Sequence, residues 1–398
     1  MSGETTLSNA PEIDGEEILA GILDWVEEET PSDDAAAVNL LADQVQSLYQ
    51  GLGMEVERTP GRDGFGDHLR VRAPGHDPDE PGILVLSHMD TVHPHGTKDA
   101  ALEIRREGDV MYGPGIYDMK SGAYLAYYAY RHMLRSGTRP RLPVTFILVS
   151  EEEAGSPTSQ ALIEEKARKA KYVLVTEPAR DGGKVVTARK GVARFELKIT
   201  GRPSHSGVNH EAGRSAIREL ARQILDIEAM TDFARGVTTN VGLISGGTGV
   251  NVVPRDATAE IDMRVATAED GERFCEKMLS IKPHDPDVTL GITGGMNRPP
   301  FEASEGTMAL FEHARACAAD VGFALDTVPM TGGGSDGNFT TALGEPTLDG
   351  LGADGKGTHT LEEQIYVSSL EPRARMWVRL FETLEYRRGV IERSVTRS

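Results

Sequence analysis

Carboxylate and imidazole side chains recur in five short segments of this 398-residue sequence. Three segments directly follow apolar runs that predict buried strands, and the other two lie in glycine-rich loops. Because open α/β sheets place their sites at the carboxyl ends of strands, we expect the segments to converge. The acidic and imidazole residues that they would bring together are His88, Asp90, Asp118, Glu151, Glu152, Glu153, Glu177 and His359.

This set of residues indicates metal-ion chemistry. In an extended segment His88 and Asp90 point to the same side, so Asp90 can orient the imidazole toward a metal. Asp118 has two oxygens and can bridge two cations. Adjacent carboxylates at 151–153 are costly at the mouth of a core unless cations neutralise them, which would leave one acid as a base. Nitrogen and oxygen ligands fit Zn²⁺, with Mn²⁺ or Co²⁺ as substitutes.

Each segment also has a purely structural explanation. His88 could be a hydrogen-bonded core histidine, and Asp118 could cap the helix that follows it. The acids at 151–153 could be a solvated charge run, and Glu177 and His359 could have capping or surface roles. The metal interpretation therefore depends on all five segments meeting in space.

The elements around these segments alternate between strand and helix. Strands are predicted at 55–58, 68–72, 82–87, 144–150 and 172–176, and helices at about 18–26, 35–51, 121–135 and 158–169. The run at 82–87 is apolar on both faces, as a central covered strand should be. This alternation predicts an α/β sheet between helices. Polar, aperiodic arms are predicted at 1–14 and 388–398.

The pattern changes between about residues 185 and 299. Long strands at 193–200, 258–265 and 288–293 and helices at 212–228 and 269–280 indicate a β-α-β-β-α-β domain. Helices predicted at 307–321, 336–343 and 376–384 then return to the pattern of the first part of the chain. We therefore predict a larger α/β domain from residues 1–187 and 300–398, with an α+β domain inserted at 188–299.

The composition of the chain limits the kind of molecule that it can bind and indicates its location in the cell. A formal net charge of −20 without a Lys/Arg-rich run argues against nucleic-acid binding and favours a small-molecule partner. The longest apolar runs are far shorter than the roughly 20 residues of a membrane-spanning helix. The first residues show neither the basic segment nor the apolar core of a secretory signal, so we expect none, and Cys275 and Cys317 are far apart in sequence. We expect a cytoplasmic protein with reduced thiols and no membrane partner.

Taken in order, the five segments resemble the metallopeptidase family that includes glutamate carboxypeptidase, acetylornithine deacetylase, succinyl-diaminopimelate desuccinylase and peptidase T. The resemblance spans nearly the whole chain and is closest to folate-cleaving glutamate carboxypeptidases. The shared motifs are SHMDTV at 87–92, GPGI-x-D at 113–118, EE-x-GS at 152–156, EP at 177–178 and TGGG-[ST]-D at 331–336. The resemblance implies a three-layer catalytic domain with two zinc ions and an inserted ferredoxin-like domain for dimerisation or a lid.

The resemblance also implies roles for individual residues. The implied ligands are His88 and Glu177 for one zinc ion, Glu153 and His359 for the other, and Asp118 for both. Glu152 would be the general base, and Asp90 would support His88. Two positions depart from the closest relatives: Ala154 replaces a usual lysine, and Met119 replaces a second aspartate. The peptide bond after Asp118 is expected to be cis.

Further roles follow from the same resemblance. His205 would steady the oxyanion in the active site of a neighbouring subunit, which implies a homodimer. The residues that match substrate-binding positions are Asn251, Arg264, Arg298, Gly334 and, for an acidic side chain, Lys184. Both assignments have an open structural alternative. Arg264 could form an ion pair within the sheet, and His205 could be an ordinary surface histidine.

The sequence therefore predicts a dizinc hydrolase that releases a C-terminal glutamate, or a similar acidic residue, from an N-acyl or peptidyl substrate. In the family, glutamate at the position of Glu177 accompanies carboxypeptidase or deacylase activity rather than aminopeptidase activity. A deacylase of other N-acyl amino acids is the first alternative. A non-catalytic binding protein on the same fold is the second.

Overall fold

The computed structural model describes residues 12–75 and 80–385. Apart from residues 12–14, the predicted terminal arms lie outside this range. The helices are α1 (Gly15–Val26), α2 (Ala35–Gly51), α3 (Thr97–Ala100), α4 (Ser121–Arg135), α5 (Gln160–Ala167), α6 (Ala216–Glu228), α7 (Ala268–Leu279), α8 (Glu305–Asp320), α9 (Gly337–Ala342) and α10 (Leu370–Thr383). The strands are β1 (Glu55–Thr59), β2 (His68–Arg72), β3 (Gly82–His88), β4 (Arg105–Glu107), β5 (Val110–Tyr112), β6 (Val144–Val149), β7 (Ala170–Val175), β8 (Val185–Val186), β9 (Gly191–Thr200), β10 (Thr238–Gly246), β11 (Asp256–Val265), β12 (Thr289–Arg298), β13 (Thr327–Val328), β14 (Thr347–Leu348), β15 (Gly355–Lys356) and β16 (Gln364–Tyr366).

The chain divides into two compact units. The smaller unit comprises Thr187–Ala303 and Pro329–Ala342, and the larger unit comprises the residues before, between and after these segments. This division differs from the predicted boundaries chiefly at residues 329–342, which the sequence prediction placed in the larger domain.

The larger unit is built on a six-stranded sheet of order β1-β2-β6-β3-β7-β14. Strands β6, β3, β7 and β14 run parallel, while β2 pairs antiparallel with β6, and β1 with β2. All seven residues of β3 are buried, as predicted for a central covered strand. Helices α1, α4 and α10 pack together, and α2 packs on β1 and β2. The unit is therefore an α/β fold with one apolar core.

The start of α4 lies unusually close to the end of β7. A Cβ atom at Gly122 would be 1.8 Å from the carbonyl oxygen of Thr176, so only glycine fits this approach. The contact brings the loop before α4, which contains Asp118, against the strand end that leads into Glu177.

The smaller unit has a four-stranded antiparallel sheet of order β10-β11-β9-β12. With α6 and α7 on one face, this is the ferredoxin-like arrangement of the predicted β-α-β-β-α-β pattern. Burial alternates along β9 and β11, so one sheet face joins the core and the other is polar. Strand β10 was not named from the sequence, because most of its residues are exposed and no alternation marks it.

The final helix begins earlier than predicted. The sequence prediction started it at residue 376, whereas α10 begins at Leu370. Pro372 lies in the first turn, where a missing backbone N–H does not disrupt helical hydrogen bonding. Within residues 12–75 and 80–385, the helices are all too short or too polar to cross a bilayer.

Candidate functional site

Three acidic segments follow neighbouring parallel strands of the larger unit. Strand β3 ends at His88, β6 leads into Glu152 and Glu153, and β7 leads into Glu177. Because β6, β3 and β7 are adjacent and parallel, their carboxyl ends lie at one edge of the sheet. This edge is where the sequence predicted the five segments to meet.

Asp118 lies between two histidines at this edge. Its Oδ1 is 3.2 Å from Nε2 of His88, and its Oδ2 is 3.5 Å from Nε2 of His359. Oε1 of Glu177 is 3.8 Å from Nε2 of His88, and Oε1 of Glu153 is 3.0 Å from Nε2 of His359. The five residues thus form two clusters that share the carboxylate of Asp118.

Glu152 lies beside the first cluster. Its carboxylate and the ligand atoms of His88 and Glu177 are all within 4.8 Å of one another. Its backbone N–H donates to Oδ1 of Asp90 at 3.1 Å, and that of Glu153 donates to Oδ2 of the same residue at 3.2 Å. Asp90 therefore fixes the backbone of both neighbouring acids.

Asp90 also orients His88, but chiefly through its backbone. Nδ1 of His88 is 2.9 Å from the carbonyl oxygen of Asp90 and 3.4 Å from its carboxylate. The hydroxyl of Ser32 donates to the same carboxylate at 2.5 Å. With Nδ1 held in this way, Nε2 of His88 is directed toward Asp118.

Glu151, the first acid of the triplet, has a separate role. Its side chain is fully buried and accepts hydrogen bonds from the N–H groups of Thr158 and Ser159 and from the Thr158 hydroxyl. His68 lies 3.7 Å from its other oxygen. Glu151 therefore holds the segment that leads to α5, and only Glu152 and Glu153 reach the clusters.

The clusters strongly perturb the pKa values of their members. Burial opposes a charged imidazole at His88, yet hydrogen bonds with Asp118 and Asp90 raise its pKa well above the usual range. Hydrogen bonds with Asp118 and Glu153 raise the pKa of His359 to about 10. Burial would raise the pKa of Asp118, but hydrogen bonds with His359 and His88 lower it. Burial raises the pKa of Glu153. The site therefore favours positive charge.

The donor set fits two divalent cations. Four carboxylates, those of Asp118, Glu152, Glu153 and Glu177, lie with two imidazoles. Even if both imidazoles were protonated, they would balance only half of these acids, whereas two divalent ions would balance all four. His359 has a φ of +61°, a sparsely populated region for a residue with a side chain, as is common at functional sites.

The peptide bond between Asp118 and Met119 is cis, which confirms the prediction. Met119, one of the two departures from the related motifs, is buried. Its sulfur accepts the backbone N–H of His88 at 3.0 Å. The methionine therefore packs against the strand that carries a candidate ligand.

The sequence analysis missed the part that Glu363 plays. Its buried carboxylate accepts the backbone N–H groups of Gly115, Tyr117 and Asp118 at 2.9–3.0 Å. It also lies 2.6 Å from Nε2 of His93. Glu363 therefore holds the loop that presents Asp118, while its own segment follows His359. In the sequence it is one of two adjacent glutamates, which gave no signal of burial.

We expect Glu363→Gln to weaken zinc binding by about 10- to 100-fold, the usual effect of removing a residue that orients a metal ligand. A glutamine amide would present N–H groups to backbone N–H donors and leave buried donors unpaired. Competition with a chelating indicator measures the affinity. Glu362→Gln, at the exposed neighbour, is the matched control. Equal zinc affinities of Glu363→Gln and the unmodified protein would exclude this role.

Several of the predicted site residues lie in the smaller unit. His205 is exposed, and its Nδ1 accepts the N–H groups of Gly207 and Val208 at 3.2 Å. Asn251 is its neighbour, because the Asn251 carbonyl accepts the N–H of Ser206 at 2.9 Å. Because Nδ1 of His205 accepts hydrogen bonds, the N–H of the neutral ring is on Nε2.

Two predicted arginines of the smaller unit form ion pairs. Arg264 donates from Nε and Nη2 to the two carboxylate oxygens of Asp262, at 2.7 and 2.9 Å, which is the structural pairing left open above. Arg298 is buried, and its Nη1 donates to Asp336 at 2.7 Å. A Cβ at Gly334 would lie 2.8 Å from Cδ of Arg298, so glycine permits this packing.

Residues 84–383 match the profile of Peptidase family M20/M25/M40. The chain is 31% identical over 363 residues to carboxypeptidase G2 of Pseudomonas sp. (strain RS-16), covering 89% of this chain and 86% of that protein. It is 25% identical over 378 residues to succinyl-diaminopimelate desuccinylase of Delftia acidovorans, covering 90% and 95% of the two chains.

A solved structure shows the same fold. The M20 family metallo-carboxypeptidase Sso-CP2 of Sulfolobus solfataricus superposes with a TM-score of 0.72 at 17% identity, covering 92% of this chain and 98% of that chain. The matched family profile spans all five residues that form the two clusters, from His88 to His359. The chain therefore belongs to peptidase family M20/M25/M40 and is a metal-dependent hydrolase.

Proposed function

We propose that this hydrolase cleaves an amide bond to release a C-terminal glutamate, or a similar acidic amino acid, from an N-acyl or peptidyl substrate. The observation that carries the proposal is the pair of clusters that share Asp118, with Glu152 beside them. Similarity to carboxypeptidase G2 over 89% of the chain supports the carboxypeptidase assignment.

The proposed cofactor is a pair of Zn²⁺ ions, with Mn²⁺ or Co²⁺ as substitutes. Their ligands would be His88 and Glu177 for one ion, Glu153 and His359 for the other, and Asp118 for both. Nitrogen and oxygen donors without a thiolate support this choice. When bound, such ions supply Lewis acidity, which polarises an amide carbonyl and acidifies water.

Glu152 is the proposed general base. Its carboxylate would accept a proton from the attacking water and return it to the nitrogen that leaves, because an amide nitrogen departs poorly without a proton. Asp90 supports this role by holding the backbone N–H of Glu152. Asp90 is therefore a positioning residue for both His88 and Glu152.

His205 is the proposed donor to the developing oxyanion. Its Nδ1 accepts two backbone N–H groups, so Nε2 carries the proton that a negatively charged oxygen requires. In this proposal the residue acts in the site of a second subunit, and the working unit is a homodimer.

The edge of the smaller unit supports such a dimer. Strand β10 is an outer strand of its sheet, with Leu243 and Ile244 more than 60% exposed. An open edge with apolar side chains favours pairing with a second copy. Sedimentation of the metal-loaded protein tests this part of the proposal, and a monomer at micromolar concentration would contradict it.

Substrate recognition is assigned to a set of polar residues. These are Asn251, Arg264, Arg298, Gly334 and Lys184. Since Arg264 already pairs with Asp262 through Nε and Nη2, it would contribute through Nη1, which also donates to the carbonyl oxygen of Gly332 at 3.4 Å. The proposal keeps an inserted domain at 188–299 between two catalytic segments, 1–187 and 300–398, with residues 329–342 grouped with the smaller unit. It also retains a cytoplasmic location, which the two unpaired cysteines support.

A deacylase acting on other N-acyl amino acids is the second candidate. Similarity to a succinyl-diaminopimelate desuccinylase over 90% of the chain favours it. Both candidates share the metal ligands and the base, so the pocket for the released amino acid separates them.

Turnover of zinc- and manganese-loaded protein on folate-like, N-acetyl and dipeptide substrates tests the choice. We expect substrates ending in glutamate to have a kcat/KM at least about tenfold above matched substrates ending in neutral residues, because an uncharged side chain leaves a cation placed for a carboxylate without its partner. A preference for neutral or basic residues would favour the second candidate.

A further inference from the structure

A cavity of about 430 Å³ lies beside the start of α10 in the larger unit. Its wall includes Gly182 and Gly183, from the hairpin at residues 180–184, and residues between 366 and 373, which lead into α10. The lining residues within the described ranges include none of the proposed metal ligands or substrate-binding residues. The volume is within the roughly 300–1,000 Å³ of small-molecule pockets. The cavity is therefore a candidate for a second ligand site.

Arg373 is a buried cation in the wall of this cavity. It is 3% exposed, and burial lowers the pKa of its guanidinium to about 10, so the group stays charged at neutral pH. Its Nη2 donates to the carbonyl oxygen of Gly183, and its Nη1 reaches that of Gly350 at 3.5 Å. Carboxylates of the described residues form no ion pair with it. Because a buried charge without a counter-charge is costly, this wall favours an anionic group.

Asp354 brings the opposite charge to the same cavity. A Cβ atom on Gly183 would lie 3.1 Å from Nη2 of Arg373 and 3.7 Å from Oδ2 of Asp354, yet these two described side chains form no ion pair. Oδ1 of Asp354 accepts the N–H of Gly355 at 2.9 Å. Asp109 adds a second, exposed carboxylate to the wall. A simple anion would be repelled by these acids, whereas a zwitterion can meet both signs of charge.

The rest of the wall fits the other parts of an amino acid. Ser369 lies at the start of a 14-residue helix, and a helix N-terminus favours a carboxylate nearby. Phe323 and Ala324 supply apolar surface, against which an uncharged side chain can pack. The cavity thus combines a cation, carboxylates and an apolar wall.

We propose that this cavity binds a free α-amino acid with an apolar side chain. The carboxylate of the ligand pairs with Arg373, its ammonium group pairs with Asp354, and its side chain packs on Phe323. The ligand is an effector rather than the substrate, so the inference goes beyond the proposed function.

The position of the cavity gives such a ligand a structural effect. The hairpin at 180–184 follows Glu177, and Asp354 precedes His359 by five residues. Glu177 and His359 belong to different clusters of candidate ligands. An amino acid held between Arg373 and Asp354 therefore ties together two segments that each lead to a metal-ligand residue, and it slows their local opening.

Calorimetry with three matched probes tests the binding of a zwitterion. The probes are L-leucine, 4-methylpentanoate, which lacks the ammonium group, and 3-methylbutylamine, which lacks the carboxylate. On zinc-loaded protein, each analogue should bind at least about tenfold more weakly than L-leucine, because each loses one charge-assisted contact. Absence of L-leucine binding up to about 10 mM, or equal binding of 4-methylpentanoate, overturns the proposal.

Variants locate the bound amino acid. Ala324→Trp fills the cavity from an exposed position and should abolish L-leucine binding, whereas Ala316→Trp, at an exposed alanine of α8, should leave it unchanged. Asp354→Asn should weaken L-leucine to the level of 4-methylpentanoate without affecting that analogue. Unchanged L-leucine binding by Ala324→Trp would place the amino acid elsewhere, such as on the bound zinc, and would overturn the proposal.

Hydrogen exchange tests the effect on the two segments. L-leucine should slow backbone exchange at residues 180–184 and 353–359 in the unmodified protein, and it should have no effect in Ala324→Trp. Equal exchange rates with and without bound L-leucine would contradict the proposed link between the segments. These readouts do not involve hydrolysis, so failure of the proposed function leaves them intact.

Discussion

Glu152→Gln should keep both metal ions and lower kcat by about 10²- to 10⁴-fold, the usual contribution of general acid–base catalysis. Glutamine preserves the shape of the side chain and one carbonyl oxygen, but it cannot take up the proton of the attacking water. The backbone anchor to Asp90 would be unaffected, because it involves the N–H of residue 152. Steady-state kinetics and elemental analysis of the same preparation provide both readouts.

The metal content decides between two roles for Glu152. Its carboxylate lies within 4.8 Å of the ligand atoms of His88 and Glu177, a position that would also suit a ligand. Loss of a metal ion in Glu152→Gln would indicate a ligand, and near-normal turnover would remove Glu152 from the base role. Glu165→Gln, at a glutamate whose side chain is 58% exposed, is the control for a charge change alone.

Asp118→Ala should abolish turnover and reduce bound zinc from two ions per chain to one at most. Asp118 is the residue that the two clusters share, with one oxygen near His88 and the other near His359. Removing it takes an oxygen donor from each cluster at once, whereas any other ligand serves one cluster. Elemental analysis measures the number of zinc ions bound per chain, and the zinc-induced rise in Tm measures the stabilisation that they provide.

Retention of two zinc ions by Asp118→Ala would show that the clusters do not depend on a shared carboxylate. The exposed Asp99 of α3 offers a matched control, since Asp99→Ala removes the same charge at a residue that is not a candidate ligand. A His88→Ala variant should by contrast lose one ion and keep the other, because Glu153 and His359 remain paired.

The main sheet could be predicted because its strands carry strong local signals. Strand β3 is apolar at nearly every position, and α4 runs over the predicted residues 121–135. Strand β10 lacks such a signal, because an edge strand with exposed residues and two glycines shows neither alternation nor a continuous apolar run. Its pairing with β11 is a tertiary effect.

The candidate site was predictable only to the level of residue types at strand ends. The sequence presents Glu151, Glu152 and Glu153 as equivalent acids, and only packing shows that the first turns inward to Thr158. Glu363 lies 245 residues from Asp118, whose backbone it holds, so no local spacing could reveal it. Long-range hydrogen bonds of this kind depend on the assembled fold.

Anomalous diffraction at the zinc absorption edge, from crystals of the zinc-loaded protein, tests the central claim most directly. The account predicts two peaks per chain, each about 2.0–2.2 Å from a different oxygen of Asp118. One peak should have His88 and Glu177 as its other ligands, and the second should have Glu153 and His359. A single peak, or peaks away from Asp118, would contradict the account.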